Sequence, residues 1–432
     1  MSLRTDDATR PHRAWHVLEN RDFRLLWAGE GTSAFGTSVS RFALPLMTLT
    51  QLHRGVVWVG VLTAVEWMPW LFCSLPAGAW IDRLSRRRTM MICDLASMCL
   101  LASIPAAALL GVLSLAQVLA VAALVGVSDV FLMNAFRAYA PSLLANDQLV
   151  DGTSLLHTMR CIADLTGPAA AGLLAGLAGA STSVVVDVVS YLVSLGCLAR
   201  IETTELRPNS LRASLKADIR EGLAFVMGDR LLRYFVTYGG AANMLWAGFA
   251  AIDLAFLLHT VRLTPGAAGV LASLGGIGGV VGAGTAPTLA RRFGGARTLM
   301  ATMLATAPLV LLIPLAAPGW RAILFSVGIA GATGAISIGS VVRAGFYPAY
   351  CPPELLGRVT STMQLMNFGA IPVGALMGGQ LALALGPRVA VSVLMIGLAT
   401  VSTSSLASPV RGRRDLPETT APALVGGSEG PT

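Results

Sequence analysis

The sequence is short of charge. Asp, Glu, Lys and Arg make up 12% of its 432 residues, whereas 54% are hydrophobic and the mean hydropathy is +0.69. Soluble domains carry roughly 25% charged residues, so the composition excludes a soluble multi-domain protein and indicates an integral membrane protein. The apolar runs are about 20 residues or longer, which suits membrane helices rather than barrel strands of about 10 residues.

Lysine is nearly absent. Lys216 is the only one, and no glycine-rich loop precedes it, which excludes ATP hydrolysis through a Walker A motif. The glycine-rich stretch 275–284 lacks the G-x-G-x-x-G spacing of a dinucleotide site and indicates helix packing through Gly278 and Gly282. The net charge of +8 is spread over short loops between apolar runs, which argues against nucleic-acid binding.

Cysteine pairs are also missing. The six cysteines lie inside apolar runs or, for Cys351, in a predicted cytoplasmic loop, and none forms a C-x-x-C motif. We therefore expect no disulfide, no metal site and no cofactor. Nothing in the sequence predicts an enzyme.

Long apolar runs occur in two groups of six, separated by a polar segment. The predicted fold is all-α: twelve transmembrane helices in two six-helix halves. The predicted spans cover approximately residues 20–50, 56–81, 89–110, 115–137, 153–178, 183–199, 231–258, 266–290, 297–316, 320–346, 358–384 and 388–408. The predicted domains are a cytoplasmic N-terminal segment (1–22), the first half (23–199), an amphipathic cytoplasmic linker (200–230), the second half (231–408) and a disordered cytoplasmic tail (409–432).

The loops differ in arginine content, and this difference predicts the orientation. Cytoplasmic loops are enriched in Arg and Lys, so both termini should be cytoplasmic in a multi-pass protein of the cell's inner membrane. We expect no cleaved signal peptide at the N-terminus. Loops predicted inside hold Arg83, Arg86, Arg87, Arg88, Arg291, Arg292, Arg297, Arg343 and Arg358, against Arg54, Arg262, Arg321 and Arg388 outside.

One loop carries a spaced motif, Gly78-Ala-Trp-Ile-Asp82-Arg83-Leu-Ser85-Arg86-Arg87-Arg88, between spans 2 and 3. It resembles the loop between helices 2 and 3 of the major facilitator superfamily of secondary transporters, with Ser85 where that family usually has Gly. The matching positions form a candidate gating loop: Gly78, Asp82, Arg83, Arg86 and Arg87. Span 11 begins near Gly357 on the same side, and its positive dipole end should attract Asp82 as a latch between the halves.

Span 5 carries a second motif, Gly167-Pro168-Ala-Ala-Ala171-Gly172, which resembles the antiporter motif of the superfamily. Ordinary small-residue packing is the alternative interpretation. An internal repeat supports two related halves, because Arg137-Ala-Tyr-Ala-Pro141 recurs loosely as Arg343-Ala-Gly-Phe-Tyr-Pro348.

Further segments at 20–24, 186–191 and 352–359 extend the resemblance over nearly the whole chain, towards the branch with enterobactin and macrolide exporters. The resemblance implies a monomeric proton-coupled antiporter that exports a lipophilic drug, siderophore or other natural product by alternating access. Its partners would be that small molecule, protons and the lipid bilayer. An importer, a lipid flippase, or a non-transporting receptor or assembly protein on the same scaffold stays open.

Ionisable residues inside spans are costly, and function is their default explanation. The resemblance implies a central cavity between the two halves, lined by helices 1, 4, 7 and 10, and a proton-driven exporter needs a buried carboxylate there. Glu30 and Arg41 share a face about three helical turns apart, and Arg160 should pair with Asp164 at i, i+4. Glu30 is therefore the first candidate for proton coupling. The remaining candidates are Asp129 and Asp164 for coupling, and Arg41, Glu66, Asn243 and Asp253 for the cavity.

Some polar and aromatic residues inside the spans are not assigned to proton coupling or to the cavity. Asp94 should lie within reach of the arginines at 86–88 and be structural, whereas Asp187 is ambiguous. Three tryptophans have two interpretations: they form an aromatic wall of the substrate path, or they contact lipid or the membrane interface. They are Trp67, Trp70 and Trp80.

Overall fold

The computed structural model describes residues 14–81, 84–145, 148–202 and 215–417, and all regular secondary structure in these ranges is helical. The first half contains α1 (Arg21–Thr50), α2 (Val56–Ile81), α3 (Arg86–Leu109), α4 (Leu115–Tyr139), α5 (Leu149–Ala178) and α6 (Ala180–Ala199). A linker helix, α7 (Leu215–Gly228), precedes the second half. That half contains α8 (Arg230–Ala250), α9 (Pro265–Phe293), α10 (Gly295–Leu312), α11 (Ile323–Tyr350), α12 (Pro353–Leu385) and α13 (Pro387–Thr403).

Eleven helical segments in the described residues are long and apolar enough to cross a membrane. The helix outside this group is α1, which has 30 residues and packs along α5 and α6. It carries Glu30 and Arg41, whose charges lower its mean hydropathy. The predicted all-helical membrane fold with twelve long helices is confirmed.

Short connectors make successive helices run in opposite directions, so the bundle has two faces. We call the face where α1 begins and α13 ends the terminal face, and the opposite face the distal face. Side chains supply many of the helix caps, as the unpaired backbone N–H groups of a first turn require. Asn20 Oδ1 caps α1, and Ser85 Oγ accepts from the N–H of Arg88 at the start of α3. Ser85 therefore has a capping role at the position where the family usually has Gly.

The two halves meet mainly through two helix pairs, α5 with α9 and α2 with α12. Both crossings lie towards the distal face and depend on glycine. A Cβ atom on Gly172 would overlap the carbonyl oxygen of Pro265, and one on Gly60 would lie 2.6 Å from the carbonyl oxygen of Ala375. Close backbone approach of this kind replaces the hydrophobic drive that helices lack in lipid. The close backbone contacts between the halves therefore lie on the distal side.

Small-residue packing also operates within the second half. Gly278 and Gly282 of α9 lie against the backbone of Ala330 and Gly334 on α11, with no room for a side chain. The predicted packing role of this glycine-rich stretch is confirmed.

The linker helix α7 docks on the second half rather than lying free. Glu221 forms an ion pair with Arg358 of α12, and Gly222 packs against the backbone of Arg358. Residues 203–214 of the predicted linker lie outside the described residues.

The predicted disordered tail is wrong for its first residues. Val410 is 1% exposed, and Leu416 packs against the apolar cluster at this end of the second half. Asp415 accepts a hydrogen bond from the N–H of Gly295 at 3.0 Å, and the carbonyl oxygen of Arg414 accepts from Ala296 at 3.1 Å. Residues 410–416 thus cap the start of α10, a role that a polar composition does not reveal. Residues 418–432 lie outside the described residues.

We expect a matched pair of truncations to separate these two parts of the tail. Ending the chain after Pro417 should leave the unfolding temperature in detergent unchanged, whereas ending it after Ser408 should lower it by several degrees, because the cap and the buried Val410 are lost. Asp415→Ala alone should cost about 1 kcal/mol. Equal unfolding temperatures for the two truncations would contradict the docked tail.

Candidate functional site

A cavity of about 1020 Å³ lies in the second half, between α8, α10, α11 and α12. Its lining residues come mostly from the parts of these helices nearer the terminal face, so the cavity extends from the middle of the bundle towards that face. Its surface is mainly apolar, with neutral polar groups and one arginine. Asn243, a cavity candidate from the sequence, is among its lining residues, and its Nδ2 lies 3.4 Å from Oδ1 of Asn367.

An aromatic cluster connects this cavity to the first half. Phe368 of α12 lines the cavity, and its ring centroid lies 5.2 Å from Trp70 and 5.8 Å from Trp67 on α2. Two of the three tryptophans considered as a wall therefore reach the cavity edge. Trp80 does not belong to this cluster, since it is 57% exposed and contacts Phe131 at 6.0 Å.

Arg41 on α1 lies beside the aromatic cluster. Its Nε is 3.4 Å from Oε1 of Glu66 on α2, and its guanidinium carbon is 5.7 Å from the Trp67 ring centroid. The side chain is 47% exposed. The pair joins α1 to α2 and leaves part of the Arg41 side chain exposed.

Glu30 forms an ion pair across helices. Nη2 of Arg160 on α5 donates to Oε1 of Glu30 on α1 at 2.5 Å, and the Arg160 guanidinium carbon lies 5.3 Å from the Phe136 ring centroid. The sequence expectation that Arg160 pairs with Asp164 was therefore wrong about the partner. Helix packing brings the Glu30 carboxylate of α1 to Arg160, and this contact takes the place of the i, i+4 neighbour.

The other two coupling candidates lie in the same region of the first half. Asp129 on α4 interacts electrostatically with Arg41, Glu66, Glu30 and Arg160. Asp164 lies within electrostatic reach of both arginines and of Ser38 on α1. The first half thus gathers the predicted ionisable residues into one connected set.

Two further acids are held by serines. Oδ2 of Asp94 accepts from Ser194 Oγ at 2.6 Å, whereas its Oδ1 is buried without a hydrogen bond among the described residues. Asp187 accepts from Ser190 Oγ at 3.1 Å and lies beside Gly36 of α1. Asp94 is therefore a buried link from α3 to α6 through Ser194, instead of the surface contact expected from its distance in sequence to the loop arginines.

Asp253 lies away from the cavity lining. It follows a break at the distal end of α8, where Asp253–Ala255 forms a short helical turn and 256–260 a π-helical turn. Its Oδ1 accepts from the N–H of Leu254 at 2.5 Å, and the turn contacts α1. This position indicates a role at the distal contact between the halves.

The candidate gating loop is only partly visible. Gly78 belongs to the last turn of α2, whereas Asp82 and Arg83 lie outside the described residues, so the Asp82 latch stays a prediction. Arg86 donates to the carbonyl oxygen of Ala138 at 2.9 Å, and Arg87 donates to those of Leu198 and Ala199, each at 2.7 Å. These two arginines complement the negative C-terminal ends of α4 and α6.

The antiporter-like motif lies at two helix crossings. A Cβ on Gly167 would lie 2.5 Å from Ser38 Oγ of α1, and Gly172 contacts α9. Beside Pro168, the N–H of Ala169 donates to Ser273 Oγ of α9 at 2.9 Å. The motif therefore provides close packing both within the first half and across the distal contact.

Sequence reasoning missed Arg343 of α11, which lines the cavity. It was counted only as a cytoplasmic loop charge. The internal repeat was a usable signal, because it aligns Arg343 with Arg137 of α4, and Arg137 donates to Gln364 at 3.1 Å, another lining residue.

The sequence and the fold resemble those of known membrane proteins. Residues 12–421 match a family described as transmembrane secretion effector. The chain is 26% identical over 370 residues to the multidrug efflux pump Tap of Mycolicibacterium fortuitum, covering 82% of this chain and 88% of the pump. It is also 26% identical over 404 residues to the multidrug efflux pump Tap of Mycobacterium tuberculosis, with 89% and 92% covered. The crystal structure of the nucleoside transporter NupG shares the fold, with a TM-score of 0.75, 11% identity, and 90% and 99% covered.

A double-mutant cycle tests the pairing of Glu30 with Arg160. Arg160→Gln should destabilise the protein, because it leaves the Glu30 carboxylate buried beside no cation, and adding Glu30→Gln should recover part of the loss. We expect a coupling free energy on the order of 2 kcal/mol, measured by unfolding in detergent.

The surface pair Arg21 and Glu202 is the matched control. Both side chains are more than half exposed, so the same two Gln substitutions there should show a coupling of about 0.5 kcal/mol or less. Purely additive effects at Glu30 and Arg160 would exclude the ion pair.

Proposed function

The chain belongs to the transmembrane secretion effector family of the major facilitator superfamily, and on that premise we propose that it is a proton-coupled antiporter that exports small lipophilic molecules. It is a multi-pass membrane transporter and not an enzyme. The proposal adds direction, coupling ion and orientation to that statement. The terminal face is assigned to the cytoplasm, in the inner membrane of the cell.

The observation that carries the proposal is the asymmetry of the bundle. The halves are pressed together near the distal face through α5–α9 and α2–α12, while the cavity extends towards the terminal face. Such an arrangement supports one end state of alternating access, in which substrate enters from the cytoplasm. The opposite state requires the glycine-lined distal contacts to separate and the terminal side to close.

Efflux, rather than uptake, is supported by relatives. Two proteins named multidrug efflux pumps share 26% identity over more than four fifths of this chain. A cavity of about 1020 Å³ with a mainly apolar lining suits molecules of drug size. The proposed cargo is therefore a lipophilic small molecule taken from the cytoplasm or inner leaflet.

Proton coupling is assigned to the first half. A proton on Glu30 would neutralise the carboxylate and release Arg160, which lies within electrostatic reach of Asp129 and Asp164. Exchange of Arg160 between these carboxylates would alter the tie between α1 and α5, and α5 also forms the distal contact with α9. Glu30 remains the principal coupling residue of the proposal, with Asp129 as its partner.

The orientation can be tested by labelling. We expect a cysteine at His53, in the loop between α1 and α2, to react with a membrane-impermeant maleimide in intact cells, because this loop is distal. A cysteine at Ser210, in the linker between the halves, should react only after permeabilisation. The unmodified chain gives the baseline from native cysteines. Labelling of Ser210→Cys in intact cells would reverse the assigned orientation.

The coupling residues can be tested in inverted vesicles with a panel of fluorescent cationic, neutral and anionic lipophiles. Glu30→Gln and Asp129→Asn should abolish uphill accumulation driven by an acid interior, because the proton step is lost, while downhill exchange persists. Glu202→Gln, the same chemical change at an exposed surface pair, is the control. Uphill transport by Glu30→Gln with an unaltered pH dependence would remove Glu30 from the mechanism.

A further inference from the structure

Arg343 is the one charged side chain among the residues that line the cavity in the described part of the chain. It belongs to α11, and its Nη2 donates to Ser340 Oγ at 3.2 Å. It also interacts electrostatically with Tyr238 and Tyr347, which line the same cavity. Within the described ranges Arg343 forms no ion pair, unlike Arg41 and Arg160 of the first half.

An arginine without a carboxylate partner is costly inside a membrane protein, and such residues mark ligand pathways. The guanidinium is always charged, and its planar fork binds carboxylate, sulfonate or phosphate oxygens through two parallel hydrogen bonds. Arg343 directs this fork into a cavity that holds no carboxylate among its described lining residues. The natural partner is therefore an anionic group on the ligand.

The rest of the cavity suits an apolar, aromatic body. Phe368 and Trp246 contribute ring surfaces, and the amides of Asn243 and Asn367 lie 3.4 Å apart, so their contact is long enough to be exchanged for a ligand hydrogen bond. These groups lie on helices other than that of Arg343. A molecule that contacts both Arg343 and these aromatic and amide groups must therefore carry its charge at one end.

The distribution of acids argues against a cationic ligand. The membrane-embedded carboxylates that could receive a cation are on helices of the first half, where Glu30 and Glu66 are paired with arginines. None of the first half's acids is among the described residues that line the cavity. In the second half, Asp253 lies at the distal break, outside the cavity lining. A cation in the cavity would therefore sit beside Arg343 without a counter-charge from the described lining.

We infer that this cavity binds an amphipathic organic anion, with the anionic group held by Arg343 and an aromatic body packed against Phe368 and Trp246. The inference rests on the proposed transport function, because it names the class of molecule transported. Binding of that class can be measured without transport. Export of an anion removes negative charge from the cell, and proton entry adds positive charge, so both steps make the cell interior more positive. An inside-negative membrane potential would then assist export.

The test uses three probes that share one ring system: 2-naphthoate, 2-naphthamide and 2-naphthylmethylammonium. Binding to the purified full chain is measured by calorimetry in detergent at low ionic strength. We expect naphthoate to bind at least about tenfold more tightly than the ammonium compound, with the amide between them. Equal or tighter binding of the ammonium probe, or no binding of naphthoate, would overturn the inference.

Variants then locate the anionic group. Arg343→Gln should weaken naphthoate binding by about tenfold or more and leave the amide nearly unchanged, whereas Arg343→Lys should keep part of the preference. Arg292→Gln, at an exposed arginine outside the cavity, is the control. Unchanged naphthoate affinity in Arg343→Gln would assign the anion to another site and refute the proposal.

A second variant tests the inference even if Arg343→Gln does not fold. Because Ser340 Oγ is already 3.2 Å from the Arg343 guanidinium, Ser340→Asp should neutralise the arginine in place and weaken naphthoate binding, while Ser340→Ala should not. Retained naphthoate preference in Ser340→Asp would contradict the inference.

Binding and transport can fail separately. Naphthoate binding with Arg343-dependent affinity, but without uphill export from vesicles, would support this inference and count against the proposed antiport. Proton-driven export of the ammonium probe would support the antiport and overturn the anion site.

Discussion

The cost of placing charge in a low-dielectric interior governs this structure. A membrane-embedded ionised group must be paired, hydrogen-bonded or directed into a water-filled space. The first half meets this condition by pairing across helices: Glu30 with Arg160, and Arg41 with Glu66. These pairs join α1 to α5 and to α2, so electrostatic ties run through the same helices that contact the second half. A change in protonation there is also a change in how helices are held.

The second half solves the same problem differently. Its cavity is lined mainly by apolar and neutral polar groups, with Arg343 as its charge among the described lining residues. The two tasks of the proposed antiporter are thus divided, with proton exchange in one half and cargo binding in the other. They communicate through α5–α9 and α2–α12, where glycine allows backbone contact, and through the aromatic contact of Trp67 and Trp70 with Phe368. Close-packed contacts of this kind favour discrete arrangements over gradual deformation.

The sequence predicts the architecture well because the lengths of apolar runs report directly on bilayer thickness. It predicts side-chain partners poorly. Lipid and protein core are both apolar, so the pattern does not define which face of a helix turns inwards, and the spacing of Arg160 and Asp164 concealed the closer Glu30. Arg343 was overlooked because a loop count treats every arginine as a topological signal. Asp415 was placed in a disordered tail because composition does not record an unfilled helix terminus.

The central claim is that cargo in the second half and protons in the first half exclude each other through the contacts between the halves. The most direct measurement adds saturating 2-naphthoate to the purified protein in weakly buffered detergent solution, at an acidic pH that loads the first half with protons, and follows proton release with a pH dye. The account predicts proton release by the wild-type chain and its loss in Glu30→Gln. Direct attraction between an anion and a proton would have the opposite sign, so release must come from coupling between the halves. Proton uptake, or bound naphthoate without any proton movement, would contradict the account.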